Sequence, residues 1–326
     1  MKSFIDWLWY RSGLLSYLLW PLHLCMLVLV SVRQKLYLVK LFKQTRLAIP
    51  VIVVGNISVG GTGKTPFIIW LVNYLKQQGY SVAVVSRGYG GYSENYPVEV
   101  ETGASASEVG DEPLLLFSRL NIPVVVDPNR SRAAQYIQQH YKVDLIIADD
   151  GMQHYQLARD AEVCIIDGYR YFGNKMLLPF GPLREPISRL KDCDLVVQNS
   201  GKQQLEYYFT VQPLCWVNLT TSEQRPIEHL VNKPVYAVCG IGNPNKFAAT
   251  LDQLAVNYHM VAFDDHHRYQ VSDFAEAGDN PVIMTEKDAD KCRAFAQADW
   301  WYLKVDIAVN QVLRDDVAKL VKRLLS

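Results

Sequence analysis

Residues 51–78 constrain this chain more than any other stretch. Val51-Ile52-Val53-Val54, behind Pro50, is a short apolar, β-branched run, the pattern of a strand buried on both faces. Ser58-Val59-Gly60-Gly61-Thr62-Gly63-Lys64-Thr65 follows. Then come apolar residues at helical spacing, Ile68, Leu71, Val72 and Leu75, with Gly79 as a stop. Strand, glycine loop, Lys-Thr and helix make up the phosphate-loop pattern G-x-x-x-x-G-K-[ST], with Ser58 in place of the first glycine. Glycines let successive N–H groups close around phosphate oxygens, and the helix N-terminus adds partial positive charge. The expectation is a nucleoside triphosphate held by Ser58, Val59, Gly60, Gly61, Thr62, Gly63, Lys64 and Thr65. In it Lys64 reaches the β/γ-phosphates and the Thr65 hydroxyl ligates Mg²⁺.

Such a loop needs a carboxylate for the metal. The run from Val143 to Ala148 is largely apolar and ends in Asp149 and Asp150, which places acids at a strand end. Further short buried strands are expected at Val82–Val85, Val124–Val126, Val163–Ile166 and Leu195–Val197. Their alternation with helical stretches predicts an α/β fold, a P-loop NTPase-like parallel sheet with helices on both faces. Composition turns polar near residues 220–234, and fresh strands are expected near 235–239, 259–263, 281–285 and 301–305. The expected organisation is a membrane-associated helix and basic linker over 1–46, a P-loop domain over 47–230 and a smaller C-terminal α/β domain over 231–326.

The formal net charge of zero conceals an asymmetry. Residues 7–93 contain no Asp or Glu but carry Arg11, Arg33, Lys35, Lys40, Lys43, Arg46, Lys64, Lys76 and Arg87. An anionic partner is implied: phosphate, an anionic membrane surface or nucleic acid. Residues 12–32 have no charged side chain and follow a cluster of aromatics that includes Trp7, Trp9 and Tyr10. Trp and Tyr favour the lipid headgroup level. A cleaved signal peptide is disfavoured by the basic stretch that follows. An interfacial or partly inserted anchor is preferred over a buried core helix and over a spanning helix, whose case Pro21 and His23 weaken. Lipid contact accounts for both the charge and the apolar, aromatic content; nucleic acid accounts only for the charge. The six cysteines form no C-x-x-C pair and read as small buried hydrophobes.

Phosphoryl transfer also needs a group that takes the acceptor's proton. Three clusters offer one: Asp111-Glu112 in Gly110-Asp111-Glu112-Pro113, Asp264-Asp265-His266-His267, and Gln153-His154. Arg87, Arg130, Arg132 and Arg184 sit at turns, where bidentate guanidinium groups suit phosphate.

Taken in order, PVIVVGNISVGGTGKTP, SRGYGG, VGDEP, DDGMQH, LLPFGPLREP, CGIGNPNKF, FDDHHRY and TEKDADK resemble the tetraacyldisaccharide 4′-kinase family over roughly Pro50 to Lys291. The resemblance implies transfer of the γ-phosphate of ATP to the 4′-hydroxyl of an acylated glucosamine disaccharide 1-phosphate. The product is lipid IVA, made during lipid A biosynthesis at the cytoplasmic face of the bacterial inner membrane. It implies ATP as the donor, and the loop reading adds Mg²⁺ with Thr65, Asp149 and Asp150 at the metal. It implies a carboxylate–histidine pair on the acceptor hydroxyl, matched here by Asp111 and His266, with His267 the weaker alternative. With His266 in one expected domain and Lys64 in another, turnover is expected to require closure. No nucleic acid and no obligate protein partner are expected.

Two other classes use the same loop. A partitioning-type ATPase carries a lysine near the loop's start, where this chain has Val59. A nucleotide-dependent membrane adaptor has no use for the Asp111 and His266 clusters.

Overall fold

The computed structural model describes residues 9–10, 19–201, 204–231, 233–265 and 267–326. In chain order the elements begin with helix α1 (Trp20–Leu38), strand β1 (Val51–Gly55), helix α2 (Lys64–Gln77), β2 (Val82–Ser86) and the short β3 (Val98–Glu99). Next are α3 (Ala106–Val109), α4 (Asp111–Leu120), β4 (Val124–Val126), α5 (Arg130–His140), β5 (Leu145–Asp149), β6 (Ala161–Asp167) and β7 (Leu195–Asn199). Then follow β8 (Tyr208–Asn218), β9 (Gln224–Arg225), β10 (Pro234–Cys239), α6 (Pro244–Gln253) and β11 (Asn257–Ala262). The last are β12 (Val282–Thr285), α7 (Glu286–Cys292), β13 (Trp300–Val309) and α8 (Gln311–Leu325). The β8 strand and α8 are absent from the sequence reading. Only part of β8 is buried, and α8 lies past the last motif.

The chain divides into two compact units, one of Met1–Arg87, Ile122–Thr210 and Val309–Ser326, the other of Gly88–Asn121 and Val211–Ala308. This division does not follow a single cut near residue 230, because the chain leaves the first unit after Arg87 and returns at Ile122. Asp111, grouped with the glycine loop by the sequence boundaries, therefore belongs to the second unit.

In the first unit the strands lie in the order β8-β7-β6-β1-β5-β2-β4. Every pairing in that run is parallel. β1, β2 and β5 are buried at every position, as continuous apolar runs require when helices cover both faces. The register sets Val54 beside Asp149 and Val85 beside Ala148. The C-terminal ends of β1, β5 and β2 thus adjoin, at the edge where open α/β sheets bind ligands. Met26, Leu27 and Val30 of α1 pack against this unit's core, while Trp20, Leu22, Val28, Leu29 and Val32 stay exposed. Pro21 falls in the first turn of α1, where its missing N–H costs nothing. No helix among the described residues is long and apolar enough to cross a membrane.

The second unit has β11, β10, β12 and β13 in parallel, then the later part of β8, with β9 antiparallel to it. Side chains alternate between two cores. Val235, Ala237 and Cys239 enter one, and Tyr236 and Val238 enter the other.

Candidate active site

The glycine loop leaves β1 and turns into α2 with left-handed backbone at Gly60 and Gly63. Ser58 is not left-handed; it forms an antiparallel bridge with Leu183 and is buried. Val59 N–H donates to Pro182 O at 2.8 Å, and Arg184 N–H donates to Ile57 O at 2.7 Å. The first loop position is thus a strand-like contact with the GPLRE segment, and glycine's freedom is not needed there. At Gly63 it is needed. The φ is +98°, and an added Cβ would lie 2.3 Å from Asn199 Nδ2. That amide donates to Thr62 O at 2.9 Å and so ties the loop to the end of β7.

Asp149 ends β5 fully within the sheet and accepts a 3.0 Å hydrogen bond from Ser86 Oγ at the end of β2. Asp150 follows with φ +48°. Lys64 Nζ lies 3.4 Å from Asp150 Oδ1, and Arg184 Nη1 lies 2.7 Å from Asp150 Oδ2. Arg130, itself buried, donates to the carbonyls of Asp149 at 3.3 Å and Asp150 at 2.7 Å. Burial works to raise the Asp150 carboxyl, but Lys64, Arg184 and Arg130 outweigh it and hold the group at about 2. Asp150 is therefore an anion in a cationic collar at the mouth of the loop. Of the turn arginines, Arg132 is tied to Asp127 and Arg87 is exposed at the end of β2.

Thr65, Asp149 and Asp150 carry hard oxygen donors of the type that suits Mg²⁺, which commonly takes one or two carboxylates and completes its shell with phosphate and water, and Asp149 Oδ1 and Asp150 Oδ1 are buried without a hydrogen bond among the described residues. Among the described residues no group of three or more His, Cys, Asp or Glu stands ready to cage a metal unaided. The residues fit a metal that arrives with a nucleotide.

Sequence reasoning passed over the second layer. Glu185 is buried and accepts from Gln34 Nε2 at 3.1 Å, Gln153 Nε2 at 3.2 Å and the Tyr155 hydroxyl. Gln153 also donates to Asn56 O at 3.0 Å, so this carboxylate links α1 to the loop. A glutamate following Arg184 carried no signal of burial. His154, offered as a base, is held neutral. Burial first, then Arg130, Arg159, Arg33 and Arg87, push it down to about 4.

In the second unit Asp111 is the first residue of α4. Gly110 precedes it at φ +88°, where a Cβ would meet Tyr89 O at 2.8 Å, so VGDEP closes against SRGYGG. Lys291 Nζ lies 3.0 Å from Asp111 Oδ2. Arg119 Nη1 grips both carboxylate oxygens of Glu286, at 2.8 and 2.7 Å, which fastens α4 to α7. His266 lies outside the described residues. His267 is engaged elsewhere: Nε2 is 2.9 Å from Asp273 Oδ2, and the ring stacks on Phe263 at 4.4 Å.

A parallel sheet that delivers a glycine loop, a lysine and an adjacent strand-end carboxylate defines a P-loop nucleotide-binding protein. The family model for tetraacyldisaccharide-1-P 4′-kinase matches residues 15–322. The tetraacyldisaccharide 4′-kinase of Methylobacillus flagellatus is 43% identical over 99% of this chain and 98% of its own length. That of Pseudomonas fluorescens is 48% identical over 79% of this chain and 78% of its own. A crystal structure described as the "apo" form of LpxK from Aquifex aeolicus in complex with ATP superposes with TM-score 0.80 at 28% identity, covering 96% of this chain and all of that one. This chain belongs to the tetraacyldisaccharide-1-P 4′-kinase family and is a kinase.

Proposed function

We propose that this chain transfers the γ-phosphate of ATP to the 4′-hydroxyl of a tetraacylated glucosamine disaccharide 1-phosphate, giving lipid IVA. The relatives' names support the acceptor, and the ATP of the Aquifex aeolicus structure supports the donor. The observation that carries the reading is the collar of Lys64, Arg184 and Arg130 around Asp150 at the glycine loop. Such positive charge compensates the negative charge of a transferring phosphoryl group. Bound Mg²⁺, held by Thr65, Asp149 and Asp150, would neutralise further phosphate charge. The loop's N–H groups and Lys64 orient the β- and γ-phosphates. Asp111 orients and charge-balances His266, whose nitrogen takes the 4′-hydroxyl proton. The hydroxyl oxygen bonds to the γ-phosphorus, the bond to the β–γ bridging oxygen breaks, and ADP leaves.

The site works at the cytoplasmic face of the inner membrane in this reading. Trp20, Leu22, Val28, Leu29, Val32 and Leu38 of α1 and Val39, Leu41 and Phe42 after it are exposed, and Lys35, Lys40 and Lys43 lie in the same stretch. Apolar surface with adjacent cations fits an anionic lipid interface. The test is ATP-dependent phosphorylation of the disaccharide 1-phosphate lipid, with Lys64→Ala as control. Folded protein that makes no phosphorylated lipid overturns the proposal. ATP consumption without lipid product favours the ATPase reading.

A further inference from the structure

The VGDEP and TEKDADK blocks, more than 160 residues apart in sequence, meet inside the second unit through a charge contact. α7 carries Lys287 and Lys291 at i and i+4, so both present to one side of the helix. Lys291 Nζ lies 3.0 Å from Asp111 Oδ2 and 3.6 Å from Asp288 Oδ1. Lys287 Nζ lies 3.8 Å from Glu112 Oε1 and 3.5 Å from Asp265 Oδ1. The two contacts differ in setting. The side chains of Lys291, Asp111 and Asp288 are 8%, 10% and 0% exposed, against 17%, 34% and 37% for Lys287, Glu112 and Asp265. Solvent screens the outer set, whereas the inner set interacts at low effective dielectric.

The geometry points to Lys291 as the residue that positions Asp111 electrostatically, its ammonium holding the Asp111 carboxylate ionised. This rests on the reading of Asp111 as part of the proton-accepting pair. Asp288 Oδ2 accepts from Gly240 N–H at 3.1 Å and from Thr285 Oγ1 at 2.6 Å, while its buried Oδ1, without a hydrogen bond among the described residues, faces Lys291, so the ammonium balances Asp288 as well. Lys291 also stands closer to Asp111 than to Asp288. Its approach to these oxygens is an ion contact without hydrogen-bond alignment, so it constrains charge more than direction. Tyr269, whose ring centroid is 5.9 Å from Nζ, walls the ammonium.

Among the described residues, the charged groups facing Asp111 include Lys291, Lys287 and Asp290 from α7 and Glu112 on its own helix, with Asp288 behind Lys291 and Asp265 beyond Lys287. Two cations thus act among several acids. Removal of the nearer cation leaves a buried carboxylate beside Asp290 and Glu112, which favours its protonation.

Lys291→Gln, assayed as the full-length enzyme on its lipid acceptor, should lose roughly tenfold or more in kcat, with KM for ATP within about twofold. Its acid limb of kcat/KM should move up by about 1 pH unit or more. Lys291→Arg should keep the wild-type limb. In the intact protein the Asp111 carboxyl carbon resonance, assigned by its loss in Asp111→Asn, should report an ionised carboxylate throughout the pH range of activity. An unmoved acid limb in folded Lys291→Gln overturns the inference. So does an intact-protein Asp111 carboxyl that is protonated within that range, a measurement that stands even where Lys291→Gln fails to fold. Asp111→Asn with near-normal turnover overturns the catalytic reading of Asp111 instead, and the carboxyl titration still reports on Lys291.

Discussion

Lys64 Nζ stands 3.4 Å from Asp150 Oδ1, so the cation of the glycine loop is paired with the acid at the end of the neighbouring strand. Arg184 at 2.7 Å on the other carboxylate oxygen completes the arrangement. Loop, strand end and the GPLRE segment therefore form one electrostatic unit. Lys64→Ala should lower kcat by roughly 10²–10³-fold, the scale on which a positioned electrostatic group contributes to a transition state. Thermal unfolding should stay cooperative. Lipid phosphorylation under saturating ATP checks the first statement and calorimetry the second.

Asp150→Asn should cost about 2 kcal/mol of stability at neutral pH, the equivalent of a carboxyl carried from 3.8 to about 2. Because the folded-state value is depressed, this contribution is full above the unfolded value. It is lost as pH falls through the folded one. The gap between wild type and variant should close between about pH 4 and pH 2. Urea midpoints across that range measure it, and a constant gap would refute it.

His154 works in the same direction as Asp150 but in a higher pH window. Its folded value of about 4 lies below the ordinary 6.5, so the unfolded chain binds the proton first as pH falls. Stability should drop by about 2 kcal/mol between pH 7 and pH 5 on this account. His154→Gln should flatten that slope while leaving turnover at pH 8 within about threefold. A slope identical to wild type would show that another group titrates there.

The two ends of the loop should respond oppositely to exchange with small residues. Gly63→Ala drives a Cβ against Asn199 at φ +98° and should cost roughly 1–3 kcal/mol together with most of the activity. Ser58→Gly restores the common motif, yet Ser58 sits in a bridge with Leu183 that asks for no left-handed residue. It should leave kcat within about threefold and lower stability by roughly 0.5–1 kcal/mol. Paired melting and activity measurements separate these outcomes.

Val28 and Leu29, 60% and 59% exposed on α1, touch little of the fold. Their joint replacement by Ser should leave the melting temperature within about 2 °C, since exposed positions contribute little to stability. Sedimentation with anionic phospholipid vesicles should fall at least severalfold. Unchanged vesicle binding would remove α1 as the lipid contact.

Local pattern was enough to read β1, α2, β2 and β5, because a strand buried on both faces must be apolar at every position. The acids Asp149 and Asp150 were legible for the same reason: charge at the end of such a run stands out. The eleven-residue β8 was not, since its burial switches along its length and it passes between units. Glu185 and Lys291 were silent too. Nothing in their neighbours announces a buried carboxylate or a lysine directed at Asp111.

The phosphate loop, its lysine, the strand-end acids and the parallel α/β class follow from residue type and short-range period. The pairing of Lys64 with Asp150, the membership of residues 88–121 in the second unit and the contact of Lys291 with Asp111 come from packing alone. These depend on residues dozens to hundreds of positions apart. Their meeting is set by sheet order and packing, for which no local pattern carries a code.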